Sequence, residues 1–226
     1  MPIRNIIVFG AHGKVGQRLI RQFSEANESY KITAVVRNAD QAKQIAKITS
    51  NSSDFKSEKL TLDEVSIQEL TDAIKGNDAV IFTAGSGGKN LLEVDLDGAV
   101  KTFEAAFAAN ALRYVLLSAI HANSREFFEN SPIKQYFIAK HYADRILVDE
   151  FSNKLDYTIL RPPTLKDGPG SGKINFLSDI NSPVGSIDRE DVATVIRKVL
   201  NNPRTFGKSF DFTNGELDIN DPSTFD

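Results

Sequence analysis

The sequence predicts an α/β fold, a doubly wound parallel sheet in a single compact domain. Two observations carry that prediction. Short apolar runs alternate with amphipathic helical segments through most of the 226 residues, the pattern of a parallel sheet covered on both faces. The first apolar run is also joined to the first helix by a turn with three glycines, Gly10, Gly13 and Gly16, and sheets of this class receive ligands at the carboxyl ends of their strands.

The elements follow in order. Ile6 to Phe9 is a buried strand, and Val15, Leu19, Ile20 and Phe23 recur at helical spacing behind the last glycine. Tyr30 to Val36 supplies a second strand and Ala39 to Ile48 a short helix with Asp40 as its cap, followed by a polar loop at Asn51, Ser52, Ser53 and Asp54. A short third strand is placed at Glu58 to Leu62. Gln68 to Ile74 is a helix stopped by Gly76, and Ala79 to Ala84 is a strongly apolar fourth strand. Leu92 to Asn110 reads as one long helix with Val94, Ala99, Phe103 and Phe107 on its buried face. Tyr114 to Ala119 is the fifth strand, Ile133 to Phe151 a helix and Tyr157 to Leu160 the sixth strand. Arg189 to Leu200 is a helix opened by Asp188 as N-cap, and Ser209 to Thr213 is a seventh strand. Right-handed crossovers give the strand order 3-2-1-4-5-6, with the last strand alongside. Two segments break the alternation. Pro162 to Gly172 is too rich in glycine and proline for regular structure, and residues 214–226 read as a loose polar tail. The nucleotide-binding domain is therefore expected to span 1–213, with 162–188 as a small substrate-side region.

Composition excludes several functions. With 41% hydrophobic residues the chain can bury the core of one domain. A net charge of −3, with basic residues dispersed, gives no general attraction for nucleic acid or anionic membranes. The absence of cysteine removes disulfides, thiolate catalysis and cysteine-rich metal sites. No His/Asp/Glu set has metal-ligand spacing, so no metal is expected. No apolar run approaches the ~20 residues needed to cross a bilayer, and the N-terminus enters a strand without the layout of a signal peptide. The expectation is a cytoplasmic protein, monomer or homodimer, acting on a small molecule.

The glycine turn has a physical reading. Gly10 allows a tight turn, Gly13 removes the side chain where a pyrophosphate would approach, and Gly16 lets helix and strand pack closely. The free N–H groups of the helix's first turn then face the phosphates, with His12, Lys14 and Val15 in the same turn. The residue closing the second strand, where an NAD-selective chain carries Asp or Glu for the ribose hydroxyls, is Arg37. Arginine pairs bidentately with a 2′-phosphate, which favours NADP. Lys14 is a second candidate for that phosphate. A second glycine-rich turn follows the fourth strand, and its Thr83, Ala84 and Gly85 are candidate contacts on the adenosine side. On the helix after the fifth strand, Tyr136 and Lys140 stand four residues apart and share a face. An ammonium beside a phenol is expected to lower its pKa and suit it to proton transfer, and Lys140 is also placed to hold the nicotinamide ribose.

These motifs, in this order, resemble an atypical short-chain dehydrogenase/reductase of the NmrA-like and epimerase-like group, a Rossmann fold. The resemblance covers nearly the whole chain. It rests on the glycine turn, Asp95-Leu96-Asp97-Gly98, Val115-Leu116-Leu117-Ser118-Ala119, Tyr136 with Lys140, Leu160-Arg161-Pro162 and Arg189-Glu190-Asp191-Val192-Ala193. It implies Tyr136 as general acid or base, Lys140 as its partner, Ser118 at or near the serine that holds the substrate oxygen, and Pro162 bordering the nicotinamide. The departures are Ile120, which stands about where extended members carry the catalytic serine, and Asp95, which stands where asparagine is usual. Of the histidines, His12 lies in the phosphate turn, His121 just past the fifth strand with a possible proton-donor role, and His141 on another face of the Tyr136 helix. The expected activity is NADP-dependent hydride transfer to a small carbonyl, quinone or flavin-like acceptor, with Pro162 to Gly172 covering the substrate. The altered tetrad also admits an NmrA-type sensor that binds NADP without turnover. A nucleotide-sugar epimerase or dehydratase ranks last, because few residues follow Pro162.

Overall fold

The computed structural model describes residues 3–225. In chain order the elements are β1 (Asn5–Phe9), α1 (Lys14–Ser24), β2 (Lys31–Val36), α2 (Ala39–Ile48), β3 (Phe55–Lys59), α3 (Ile67–Ile74), β4 (Ala79–Phe82) and, after a π-helical turn at Leu91–Leu96, α4 (Asp97–Ala108). Then come β5 (Arg113–Leu117), α5 (Arg125–Phe128), α6 (Lys134–Phe151), β6 (Asp156–Arg161), β7 (Thr164–Lys166), β8 (Lys173–Phe176), β9 (Ser186–Asp188), α7 (Arg189–Leu200), β10 (Lys208–Asn214) and β11 (Leu217–Asp218).

The main sheet runs β11-β8-β10-β6-β5-β4-β1-β2-β3. From β3 to β10 every pairing is parallel, and β8 and β11 extend the β10 edge antiparallel. This is the expected order with the last strand alongside. Successive side chains of β1 serve opposite faces, as strand geometry requires. Ile6 and Val8 join the core under α1 and α7, and Ile7 and Phe9 join the core under α3, α4 and α6. A strand buried on both faces reads as a continuous apolar run, which is why β1 and β4 were legible. Strand order reverses between β1 and β4, so a crevice opens at their carboxyl ends.

Several expectations are corrected. The third strand lies earlier, at Phe55–Lys59, in register with Ile32 to Val36. It is an edge strand and needs little apolar surface, whereas Leu60 and Leu62, just beyond it, join the core that holds Ile7 and Phe9. The long helix begins as the π-helical turn, and Phe107 is 48% exposed with the Lys154 ammonium over its ring. Each i+4 step drifts about 40° round a helix, so two steps from Ala99 carry Phe107 off the buried stripe, and Ala105 and Ala106 fill it instead. The cap of α2 is Asn38, whose Oδ1 accepts the Gln41 N–H at 3.0 Å, while Asp40 pairs with Lys43 at the surface. Asp188 stands at the N-cap of α7, but its carboxylate accepts the Gly170 N–H instead of capping.

The two irregular segments are also more ordered than their composition suggests. Within Pro162 to Gly172, β7 pairs with β9, and the buried Asp191 carboxylate accepts the N–H groups of Ser171 (2.8 Å) and Gly172 (2.9 Å). The segment is fastened by the carboxylates of Asp188 and Asp191 and by its own Asp167, which pairs with Lys14, Arg18 and Arg189. The polar tail contributes β11 and a 3₁₀ turn at Pro222–Phe225, where Phe225 is buried edge-on against Phe176 and Phe210. Among the described residues no helix is long and apolar enough to cross a membrane.

If Phe225 anchors the C-terminal segment, Phe225→Ala will lower unfolding stability by about 3 kcal/mol, as large-to-small aromatic substitutions in a core do. Urea denaturation measures it, and an unchanged midpoint would mean that the segment contributes nothing.

Candidate active site

The crevice is built from glycines. Gly10 has φ +81°, and a Cβ there would lie 2.5 Å from the Ala84 nitrogen, so the turns after β1 and β4 touch because this residue has no side chain. The Thr83 hydroxyl fastens the same contact by donating to the Phe9 carbonyl at 3.0 Å. Gly16 is needed for a related reason. A Cβ there would run into the carbonyl oxygens of Gly10 and Ala11, so the turn folds against α1 itself. Gly13 caps α1 without a side chain, and no acidic residue stands in the first helical turn. The N–H groups and the positive end of the helix dipole are thus left to an external anion.

Two cavities meet at this turn, sharing Gly13, Thr83, Ala84 and Gly85 as a common wall. The smaller, about 290 Å³, is lined by Gly10, His12, Val36 and Arg37. The Arg37 backbone N–H donates to Gln41 (2.8 Å), and its guanidinium has no partner among the described residues. His12 lies 2.6 Å from Gln44 Oε1 on α2. Leu60, Thr61, Leu62, Asp63 and Lys89 complete this cavity. The sequence reading missed them, because it placed Leu60 to Leu62 inside a strand. Lys14 does not join Arg37. It lines the other cavity and lies 2.6 Å from Asp167.

The larger cavity, about 870 Å³, brings together Asp95, Ser118, Tyr136, Lys140 and Pro162, with Val15 at its glycine end. The Lys140 ammonium is buried, 3.4 Å from the Leu117 carbonyl, 4.0 Å from Asp95 and 5.8 Å from the centre of the Tyr136 ring. The expected fall in the phenol's pKa is not found. Burial, followed by the charges of Asp95 and Asp144, pushes Tyr136 up, and burial pushes Lys140 down against the same two carboxylates. The phenol is therefore held protonated. Asp95, 1% exposed, sits in the widened π-helical turn and accepts the Ser86 N–H at 2.9 Å, which ties the second glycine-rich turn to Lys140.

Ser118 is buried beside the Asp144 carboxyl, whose charged form its hydroxyl favours. Behind it, burial raises the Asp144 carboxyl above its usual range, against the pull of Arg161 and the nearby Ser118 hydroxyl. Arg161 bridges Asp144 (2.8 Å) and Asp211 (3.2 Å). His121, in the left-handed region at φ +50°, turns Nδ1 to Asp211 at 3.2 Å and packs on Phe127. It is not part of the cavity wall, so a proton-donor role has no support in its position. His141 is buried with Nδ1 2.7 Å from the Ala122 carbonyl. Ile120 lines the cavity and puts no hydroxyl there, while its N–H donates to the Pro162 carbonyl at 2.9 Å.

Comparison with known proteins agrees with this geometry. The sequence profile described as NAD(P)H-binding matches residues 10–203. A Bacillus subtilis protein named "Uncharacterized sugar epimerase YhfK" is 40% identical, covering 95% of this chain and 96% of its own. The yeast UPF0659 protein YMR090W (Saccharomyces cerevisiae) is 38% identical over 95% of each. The crystal structure of the oxidoreductase ylbE from Lactococcus lactis superposes with a TM-score of 0.84 at 33% identity, covering 96% of this chain and 94% of that one. With a glycine cradle that any added Cβ would fill, and with a family match over most of its length, the chain belongs to the NAD(P)H-binding family, as an atypical short-chain dehydrogenase/reductase with a Rossmann-type sheet.

Proposed function

We propose that the protein is an NADPH-dependent reductase of a small carbonyl, quinone or flavin-like acceptor. The observation that carries this reading is the grouping of Tyr136, Lys140, Asp95 and Ser118 in one cavity that shares a wall with the glycine turn. A nicotinamide dinucleotide laid across both cavities supplies the hydride. Gly13 and the first turn of α1 hold the pyrophosphate, and Arg37 holds the 2′-phosphate. Thr83, Ala84 and Gly85 border the ribose, and Pro162 backs the nicotinamide. Ser118 Oγ then turns its hydrogen bond from Asp144 to the acceptor's oxygen. Tyr136 delivers a proton to the oxygen as negative charge develops there. Its raised pKa keeps that proton in place until then. Lys140, fixed by Asp95, holds the ribose and offsets the growing charge. A buried ammonium beside developing alkoxide is worth more than one in water.

The printed description of the Lactococcus lactis protein as an oxidoreductase supports this reading. The name of the Bacillus subtilis relative favours a second, epimerisation through transient oxidation. An epimerase returns the hydride to its substrate, so it shows no net NADPH consumption, which separates the two.

For the cofactor, Arg37→Ala will weaken NADPH binding by about 1.5–3 kcal/mol, the worth of a hydrogen bond to a charged group, and leave NADH unchanged. Fluorescence titration measures both, and an equal loss for the two nucleotides would refute the 2′-phosphate assignment. For the chemistry, Tyr136→Phe will cut kcat on carbonyl acceptors by roughly 10²- to 10⁴-fold while NADPH affinity and quinone turnover persist. Carbonyl turnover that survives intact in absorbance-monitored NADPH oxidation would remove Tyr136 as proton donor.

A further inference from the structure

The larger cavity is unevenly charged. Its lining combines polar groups, Ser118, Tyr136 and the Lys140–Asp95 pair, with the apolar Phe127, Phe137 and Leu165. Two more cations, Lys14 and Arg189, belong to the same wall, and Asp95 is its only carboxylate among the described residues. Asp95 is already committed to Ser86 and Lys140, so the cavity holds a surplus of positive charge. Asp167 offsets part of it. A single carboxylate, 45% exposed, meets Lys14 at 2.6 Å, Arg189 at 2.9 Å and Arg18 at 3.1 Å. Arg18 also reaches Glu190 at 3.9 Å, which leaves Lys14 and Arg189 sharing Asp167, two cations to one carboxylate.

Arg189 is the member with capacity to spare. Its Nη1 pairs with Asp167, while Nε and Nη2 make no hydrogen bond among the described residues. The side chain is 20% exposed. Two free donors in a planar fork match a carboxylate, and Phe127, Phe137, Leu165 and Val184 in the same lining suit an apolar body. We propose that Arg189 anchors a carboxylate on the substrate, an apolar acceptor molecule with its reducible end at Ser118 and its acid group at Arg189. Asp167 competes for the same guanidinium and sets how strongly the acid is held. The position of the reducible end rests on the reductase reading. The anion site does not.

The test is calorimetric binding of 2-naphthoate and its neutral isostere 2-naphthamide to the protein saturated with NADP⁺, whose own affinity is measured in each preparation. The wild type is expected to prefer the acid by about tenfold or more. Arg189→Gln abolishes that preference and leaves the amide unchanged, Arg189→Lys keeps part of it, and Asp167→Asn, which removes the competitor, widens it. An acid preference that persists in Arg189→Gln would overturn the proposal. So would equal loss of both probes with weakened NADP⁺ binding, which would make Arg189 a cofactor ligand, or a wild type that binds neither probe. Because the readout is binding, a protein that takes the acid through Arg189 but oxidises no NADPH would sink the reductase reading and leave this one standing.

Discussion

The contact between the ends of β1 and β4 is the constraint on which the site depends. Gly10 presses against Ala84 with no room for a Cβ, and Thr83 hydrogen-bonds back to Phe9. That closeness makes one wall serve two cavities, so a ligand long enough to cross the glycine turn touches both. Were the strands held further apart by a single methyl group, the phosphate-facing end of α1 and the Ser118–Tyr136 wall would no longer share a border. The close packing of protein interiors leaves no slack to absorb such a change.

A second layer of constraint is electrostatic. Lys140, Asp144, Arg161, Asp95 and His121 are each buried, yet they come from α6, β6, the π-helical turn and the segment after β5, with Asp211 of β10 completing the set. Burying charge is costly, and removing one partner of such a group leaves the others stranded. The network therefore has a cost in stability and a return in position. Asp95 and Asp144 hold Lys140 where it is, and Arg161 ties Asp144 to Asp211. The motifs Leu160-Arg161-Pro162 and Arg189-Glu190-Asp191-Val192-Ala193 thereby acquire physical meanings. Arg161 bridges two buried acids, and Asp191 holds the irregular loop by its backbone.

Much of this was legible in the sequence, and the failures have common causes. β1, β4, the glycine turn and the Tyr136–Lys140 face were readable because their signals are local: apolar run, turn chemistry, helical spacing. β3 was misplaced because an edge strand carries little apolar signal, and with it went Leu60 to Asp63 on the adenine side. Phe225 and Asp191 order segments that look loose because what fixes them is distant in sequence. The Tyr136 phenol was misjudged because spacing shows that an ammonium is near but not how deeply both groups are buried. Burial outweighs the charge. The pairing of Lys14 with Asp167 was not legible for a similar reason, since Asp167 lies far along the chain. Arg189 is charged, sits in a motif and carries no local sign of facing a cavity.

The central claim is that one dinucleotide spans both cavities, with its nicotinamide over the Ser118, Tyr136 and Lys140 wall. A crystal structure of the NADPH complex tests it most directly. The account predicts the pyrophosphate at the N-terminus of α1, the 2′-phosphate on Arg37 and nicotinamide C4 facing the cavity that holds Ser118 and Tyr136. A dinucleotide confined to the adenine side, or a nicotinamide turned away from Tyr136, would contradict it.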